Sequence, residues 1–98
     1  MDKNVSWYSM PIGVQISNVG SEVHRAIQWK KKGDVQKMIG FCRKAIGFLE
    51  VMKTDPKNQH RKGELDGCIE ELQDHFMGED RYGTSEEQMI RYYDAFIG

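Results

Sequence analysis

Hydrophobic residues recur at helical spacing through the middle of the chain, between positions 34 and 53. Steps of three and four residues between apolar side chains place those side chains along one face of a helix. The positions with this spacing are Val35, Met38, Cys42, Ala45, Leu49 and Met52. Asp34 stands where an N-cap residue would accept a hydrogen bond from a backbone N–H of the first turn. The pattern predicts a central helix over residues 34–53.

A preceding helix is predicted over residues 12–32. Its apolar residues again follow steps of three and four, at Ile12, Ile16, Val19, Val23 and Ala26. Pro11 suits the first helical turn, where its missing N–H leaves no donor unpaired, and Gly33 suits a helix C-terminus.

A third helix is predicted over residues 56–77. Its apolar face consists of Leu65, Ile69, Leu72 and Phe76. Asp55 followed by Pro56 marks its start as an N-cap and a first-turn proline. The connection to the central helix is tight, so these two helices should be antiparallel neighbours.

A fourth helix is predicted over residues 85–97, after the polar segment GEDRYG at residues 78–83. Met89, Tyr93 and Phe96 form its short apolar face. Thr84 and Glu87 have the spacing of a capping box at its start.

No segment has the alternating pattern of a strand, and no repeat or linker divides the 98 residues. We therefore predict an all-α fold, a single domain over residues 1–98. It should be a small four-helix bundle with mostly antiparallel helices, preceded by a short N-terminal arm over residues 1–11.

Composition is typical of a soluble globular protein. Hydrophobic residues make up 39% and charged residues 30%, which is too apolar for intrinsic disorder and too polar for a membrane protein. The first residues lack the apolar run of a secretory signal, and no stretch approaches the about 20 apolar residues of a membrane span. Cys42 and Cys68 lie within apolar helical patterns and indicate reduced core thiols. We therefore expect a cytoplasmic protein.

The formal net charge of −1 conceals opposite charges in two parts of the chain. Residues 1–62 hold twelve Lys or Arg against five acidic residues, whereas residues 63–98 hold ten acidic residues against two arginines. Three interpretations are open: attraction between helices within the bundle, pairing with a second copy, or a basic surface that binds nucleic acid. The candidates for that basic surface are Lys30, Lys31, Lys32, Arg43, Lys44, Arg61 and Lys62.

No pattern identifies a site for catalysis, a metal or a cofactor. Cys68 and His75 share one side of the third helix and Cys42 lies on the second, but the closely spaced ligand pairs of structural zinc sites are absent. Both cysteines lie on apolar faces, whereas a nucleophile needs partial exposure and a nearby base. We expect no enzymatic activity, no metal and no cofactor.

Two families have helical architectures of this kind. The bundle resembles that of small helical nucleases, which place an arginine a few residues before a histidine on one helix. None of His24, His60 and His75 follows an arginine in that way. The segment KKKGDVQKMIGFCRKAIGFLE is similar to helical hairpins of flagellar export chaperones and other adaptor bundles, in which a Gly-Asp turn joins two amphipathic helices. The resemblance implies a hairpin and transfers no functional residue.

Aromatic residues remain after the main helical faces are filled, and they suggest an interface. Phe41 and Phe48 lie seven residues apart beside the main face of the central helix, next to a polar strip. That strip consists of Lys37, Gly40, Lys44 and Gly47. Apolar patches at a surface usually mark protein interfaces, and the candidates here are Phe41, Phe48, Trp29 and Tyr92.

The function predicted from these patterns is a non-enzymatic protein–protein interaction or adaptor module that self-associates as a dimer or binds another protein. The alternative is a nucleic-acid-associated regulatory protein that uses the basic surface of the first three helices. Neither hypothesis involves a membrane.

Overall fold

The structure, a computed structural model, describes residues 3–95. Within that range all regular structure is helical and no residue lies in a strand. The elements in chain order are α1 (Lys3–Tyr8), α2 (Ile12–Lys31), α3 (Val35–Thr54), a 3-10 helix (Pro56–Arg61), α4 (Lys62–Met77) and α5 (Glu86–Asp94). The predicted all-α helical bundle is confirmed, and the N-terminal arm contains the short helix α1.

α2 and α3 form an antiparallel hairpin closed by Gly33. Gly33 adopts a φ of +81°, a conformation that glycine reaches without the steric cost other residues incur. Its N–H donates to the Lys30 carbonyl at 3.0 Å, and the Asp34 N–H donates to the Trp29 carbonyl at 3.0 Å, which is a Schellman ending. The Asp34 carboxylate then accepts from the Lys37 N–H at 3.1 Å. The predicted helix stop and N-cap are both confirmed.

The predicted start of the third helix at residue 56 is wrong. Residues 56–61 form the 3-10 helix, and α4 begins at Lys62. Asp55 caps the 3-10 helix, because its carboxylate accepts from the Lys57 N–H at 3.1 Å. The apolar spacing of the third helix begins only at Leu65, and a segment without an apolar face has little packing to stabilise an α-helix.

The capping residues predicted for the last helix are wrong by one position. Ser85, and not Thr84, is the N-cap of α5: its hydroxyl accepts from the Gln88 N–H at 3.1 Å. The Gln88 side chain accepts from the Ser85 N–H at 3.0 Å. The pairs at 84 and 87 and at 85 and 88 both match the capping-box pattern, so spacing alone could not choose between them. The predicted continuation from residue 96 to residue 97 lies outside the described residues.

The core is formed by apolar side chains of α2, α3, α4 and α5, among them Val19, Leu49, Leu72 and Tyr93. At the contact of α2 with α5, Gly20 is buried. A Cβ built at Gly20 would lie 2.8 Å from the Cβ of Tyr93. The missing side chain therefore lets α5 approach α2 closely.

Candidate protein-interaction surface

The outward side of α3 carries one tripeptide twice, at a spacing of seven residues. Residues 39–41 and 46–48 both have the sequence Ile-Gly-Phe, and seven residues make almost two helical turns, so the two units share one side of the helix. In each unit the isoleucine and phenylalanine are half-buried against the core, while the glycine is exposed. A Cβ built at Gly40 or Gly47 would meet no atom within 4 Å. The helix backbone is accessible at both glycines.

α1 covers the phenylalanine of the second of these two units. The Trp7 ring packs against the Phe48 ring with 4.8 Å between their centroids. Polar contacts hold α1 in place: the Tyr8 and Thr54 hydroxyls share a hydrogen bond of 2.5 Å, and the Lys57 ammonium donates to the Tyr8 carbonyl at 2.8 Å. Phe48 is thus partly covered by its own chain.

The first unit has an opening to solvent, which we call the open pocket. It is a cavity of about 300 Å³ lined by Lys37, Gly40, Phe41 and Lys44. Phe41 supplies aromatic surface, and the missing side chain at Gly40 leaves the space free. The two lysines lie about one helical turn before and after this pair. The pocket is therefore apolar inside and cationic at its rim.

Charges around the open pocket remain positive on balance. The Lys37 ammonium lies 4.1 Å from the centre of the Trp29 ring, a cation–π contact that leaves its charge in place. The Lys44 ammonium lies 3.6 Å from the carboxylate of Glu22. That carboxylate, whose side chain is 5% exposed, also accepts from Arg25 at 2.6 Å. One acidic group thus faces two cations.

Three of the four predicted interface residues lie on this side of the hairpin, and the fourth does not. Phe41 lines the open pocket, Phe48 lies beneath α1, and Trp29 borders the pocket through Lys37. Tyr92 instead lies where α5 meets α4, and its hydroxyl donates to Glu64 at 2.6 Å. All four aromatic residues are half-buried and pack against the core.

The predicted basic residues are spread over the bundle. Those near the α2–α3 turn are Lys30, Lys31 and Lys32; those in the middle of α3 are Arg43 and Lys44; those beyond the far end of α3 are Arg61 and Lys62. A helix of 20 residues spans about 30 Å, so the first and last groups lie far apart. In the group near the α2–α3 turn, Lys32 approaches the Trp29 ring, and its ammonium lies 4.6 Å from the ring centre.

Some of the oppositely charged residues from the two parts of the sequence pair with each other within the chain. Lys30 pairs with Glu86 at 3.2 Å, and Lys53 pairs with Asp66 at 2.5 Å. Arg61 pairs with its neighbour Glu64 at 3.4 Å. These are partly exposed pairs, each of which contributes about 0 to 1 kcal/mol. Attraction across the bundle therefore exists but is a weak contribution to stability.

A second surface is the loop between α4 and α5, which the polar segment GEDRYG at residues 78–83 predicts as a loop. The Asp74 carbonyl accepts from the N–H groups of Gly78 at 3.2 Å and Asp80 at 3.0 Å. The Asp74 carboxylate accepts from the N–H groups of Arg81 at 2.7 Å and Tyr82 at 3.0 Å. The hydrogen bond from Tyr82, together with that from Arg81, lowers the pKa of Asp74. Asp74 thus fixes the path of the loop. The sequence gives no sign of this role, because Asp74 stands in a run of acidic residues.

We call residues 78–83 the Tyr82 loop, because this loop presents Tyr82 to solvent. Tyr82 is 62% exposed, and its hydroxyl donates to the Glu70 carboxylate at 3.2 Å. An open cavity of about 750 Å³ beside it is also lined by Met77, Asp74 and Glu79. The loop therefore combines an exposed aromatic ring with acidic neighbours on a fixed backbone.

Replacing Asp74 with alanine should release the Tyr82 loop and leave the bundle folded. The variant lacks the carboxylate that accepts two backbone N–H groups, whereas the buried residues of α4 keep their contacts. We expect amide hydrogen exchange at Arg81 and Tyr82 to accelerate by about tenfold, with exchange in α3 unchanged. Asp74→Asn, which retains one acceptor oxygen, should show a smaller effect. Equal protection of the loop in all three proteins would contradict this role of Asp74.

The possible metal ligands and the two cysteine thiols are placed as follows. Residues 3–95 contain no group of three or more His, Cys, Asp or Glu side chains that could hold a metal ion. Burial raises the pKa of Cys42 to about 11, so the nucleophilic thiolate is scarce near neutral pH. Burial also raises the pKa of the half-buried Cys68.

Comparisons with known proteins find no relative of this chain. No protein-family model, no curated protein and no solved structure matches the chain. In the part of the chain that the structure describes, no helix is both long enough and apolar enough to cross a membrane. The open pocket and the Tyr82 loop are the two surface features of the protein that bear on its function.

Proposed function

We propose that the protein is a non-enzymatic, cytoplasmic interaction module that self-associates through the outward side of α3. The observation that carries this proposal is the open pocket at Gly40 and Phe41. An aromatic-lined apolar opening with a cationic rim has the composition of a protein interface, where an apolar centre is surrounded by polar groups. Both cysteines are free thiols, which suits a reducing compartment.

Gly40 supports the proposal through its position beside Phe41 and between Lys37 and Lys44, whereas Gly47, Gly63 and Gly67 have equally free Cβ positions without those neighbours lining the pocket. A glycine inside a helix costs up to about 1 kcal/mol relative to alanine, and a Cβ at Gly40 would meet nothing in its own chain. A partner that packs directly on the backbone of α3 would use the missing side chain. Gly20 is the contrasting case, since Tyr93 of the same chain occupies the space beside it.

A second copy of the chain is supported as the partner by the distribution of charge. The rim of the open pocket is basic, whereas residues 63–98 hold ten acidic residues against two arginines. Surfaces of opposite charge attract and orient one another during association. The charge that one copy carries at the pocket therefore complements the charge that another copy carries on α4 and the Tyr82 loop.

The test fills the pocket without disturbing the core. Gly40→Leu adds a side chain into open space, so the variant should keep or exceed the thermal stability of the wild type. Gly63→Leu is the matched control, since Gly63 is a helical glycine of α4 with equally free surroundings. Light scattering over a concentration series should find association in the wild type and in Gly63→Leu, and a folded monomer for Gly40→Leu.

Two results would overturn this function. One is a wild type that stays at its chain mass of 11.4 kDa at every concentration. If that monomer copurifies with nucleic acid that salt releases, the basic residues become the functional surface instead. The other is association of Gly40→Leu as strong as that of the wild type, which would place the interface elsewhere.

A further inference from the structure

An interface of this kind needs an occupant for the open pocket, and the chain itself contains a matching group. The pocket offers apolar surface from Phe41 between two lysines. The matching group is an aromatic ring with acidic neighbours. Tyr82 fits this description, because it is exposed and its hydroxyl donates to Glu70, while the carboxylate of the nearby Glu79 pairs with Arg81 at 3.0 Å.

We propose that the Tyr82 loop of one copy docks into the open pocket of a second copy, with the Tyr82 ring against Phe41 and Gly40. This inference rests on the proposed function and names the segment that occupies its site. The acidic group Glu70 then faces the cationic rim formed by Lys37 and Lys44. Aromatic rings are the side chains that most often dominate the binding energy of such contacts.

The loop is suited to binding because its backbone is already ordered. The carboxylate and the carbonyl of Asp74 together accept from four N–H groups of the segment that follows α4. Asp80 and Gly83 adopt φ values of +55° and +61°, which complete the turn that exposes Tyr82. A loop fixed before binding loses less conformational entropy in the complex than a mobile one.

The occupant comes from another copy and not from the same chain. The Tyr82 hydroxyl is bonded to Glu70 of α4 and the Tyr82 N–H to Asp74 of α4, so the loop is held on α4 and not on the pocket of its own α3. Pocket and loop are different surfaces, so the contact is head to tail. Repeating a head-to-tail contact gives a closed ring, of which two copies are the smallest, or an open chain.

The deciding experiment mixes two variants that lack opposite halves of the contact. Tyr82→Ser removes the ring from an exposed position and keeps the pocket, whereas Gly40→Leu fills the pocket and keeps the loop. Each variant alone should associate at least about 30-fold more weakly than the wild type, the loss typical of a central aromatic contact. An equimolar mixture should form a complex of two chains, because one variant supplies the loop and the other the pocket.

Two controls separate the tyrosine ring from general surface effects. Tyr82→Phe keeps the ring and should associate like the wild type. Val14→Ser removes an exposed apolar side chain on α2 and should also leave association unchanged. Association of the wild type should weaken as salt rises, because charged groups flank the contact.

The outcomes distinguish this inference from the function on which it rests. If Gly40→Leu is a monomer while Tyr82→Ser associates normally, the pocket remains the interface and the Tyr82 loop is not its occupant. If both variants are monomers and their mixture is monomeric too, loop and pocket do not contact each other and the inference is wrong. A monomeric wild type overturns both proposals.

Discussion

Replacing Asp55 with alanine is expected to lower the free energy of unfolding by about 3 kcal/mol. Asp55 is 2% exposed and connects three parts of the chain. Its carboxylate accepts from the side chain of Gln15 on α2 at 2.9 Å, from the Lys57 N–H at 3.1 Å, and from the Lys57 ammonium. Gln15 also donates to the Trp7 carbonyl at 2.8 Å. Loss of the carboxylate therefore removes the N-cap of the 3-10 helix and loosens the attachment of α1.

The contribution of Asp55 should depend on pH with a definite sign. Burial acts to raise the pKa of Asp55, but the hydrogen bonds from Lys57 and Gln15 together leave that pKa below its usual value. A carboxyl group with a lowered pKa in the folded state stabilises the fold above its unfolded pKa of about 3.9. This stabilisation disappears as the pH falls through the lower, folded pKa.

Denaturant unfolding of wild type, Asp55→Ala and Asp55→Asn at pH 7 and in acid tests the size of the Asp55 contribution and its dependence on pH. Asp55→Asn keeps an oxygen that can accept from the Lys57 N–H but loses the charge. We therefore expect its free energy of unfolding to lie between those of the wild type and Asp55→Ala. The gap between wild type and Asp55→Asn should narrow toward acid. A gap that is constant from neutral to acidic pH would show that the charge of Asp55 does not stabilise the fold.

Replacing Gly20 with valine is expected to destabilise the protein by a similar amount, about 3 kcal/mol. The Cβ position at Gly20 lies 2.8 Å from the Cβ of Tyr93, an atom attached directly to the backbone of α5. Rotation of the Tyr93 side chain cannot relieve this contact, so α5 would have to move away from α2. Such a movement would expose Met89 and Tyr93, which are both buried.

Gly47→Val is the matched control, because a Cβ at Gly47 meets nothing within 4 Å. The control should have nearly the stability of the wild type, since valine and glycine are both poor helix formers. Thermal unfolding compares the stabilities, and hydrogen exchange in α5 reports its release from α2. Equal stability of the two variants would contradict the close-contact role of Gly20.

The open pocket could be predicted in part. The sequence places Gly40 and both lysines on the polar strip of α3 and Phe41 beside the main apolar face, because helical periodicity assigns residues to a face without reference to other helices. For Trp7 and Tyr8 the sequence leaves two interpretations open, an interface or a fold-back that caps the end of the bundle, and it does not say that Trp7 packs against Phe48. The sequence pattern therefore identifies the outward side of α3. It does not say which of the two Ile-Gly-Phe units on that side is open to solvent.

For the Tyr82 loop, the sequence predicts the loop but not the exposure of Tyr82. The glycines and polar residues of GEDRYG indicate a loop, but a loop has no period from which exposure can be read. The position of Tyr82 depends on the two carboxylate oxygens of Asp74, which belong to the preceding helix. Likewise, the sequence places Tyr92 with Phe41 and Phe48 among the interface candidates, although Tyr92 contacts Glu64 of α4. A pattern within one helix does not reveal which neighbouring helix a residue faces.

Sequence pattern alone predicts the helical class, the course of α2 and α3, their boundary at Gly33 and Asp34, and the apolar faces that form the core. These features arise from interactions between residues close in sequence and from the burial of one face of each helix. Packing between distant elements placed Tyr93 against Gly20 and linked Asp55, through Gln15 of α2, to the Trp7 carbonyl of α1. It also left an open pocket beside Gly40. Each of these depends on a contact, or on the absence of one, between segments far apart in the chain, which local pattern does not encode.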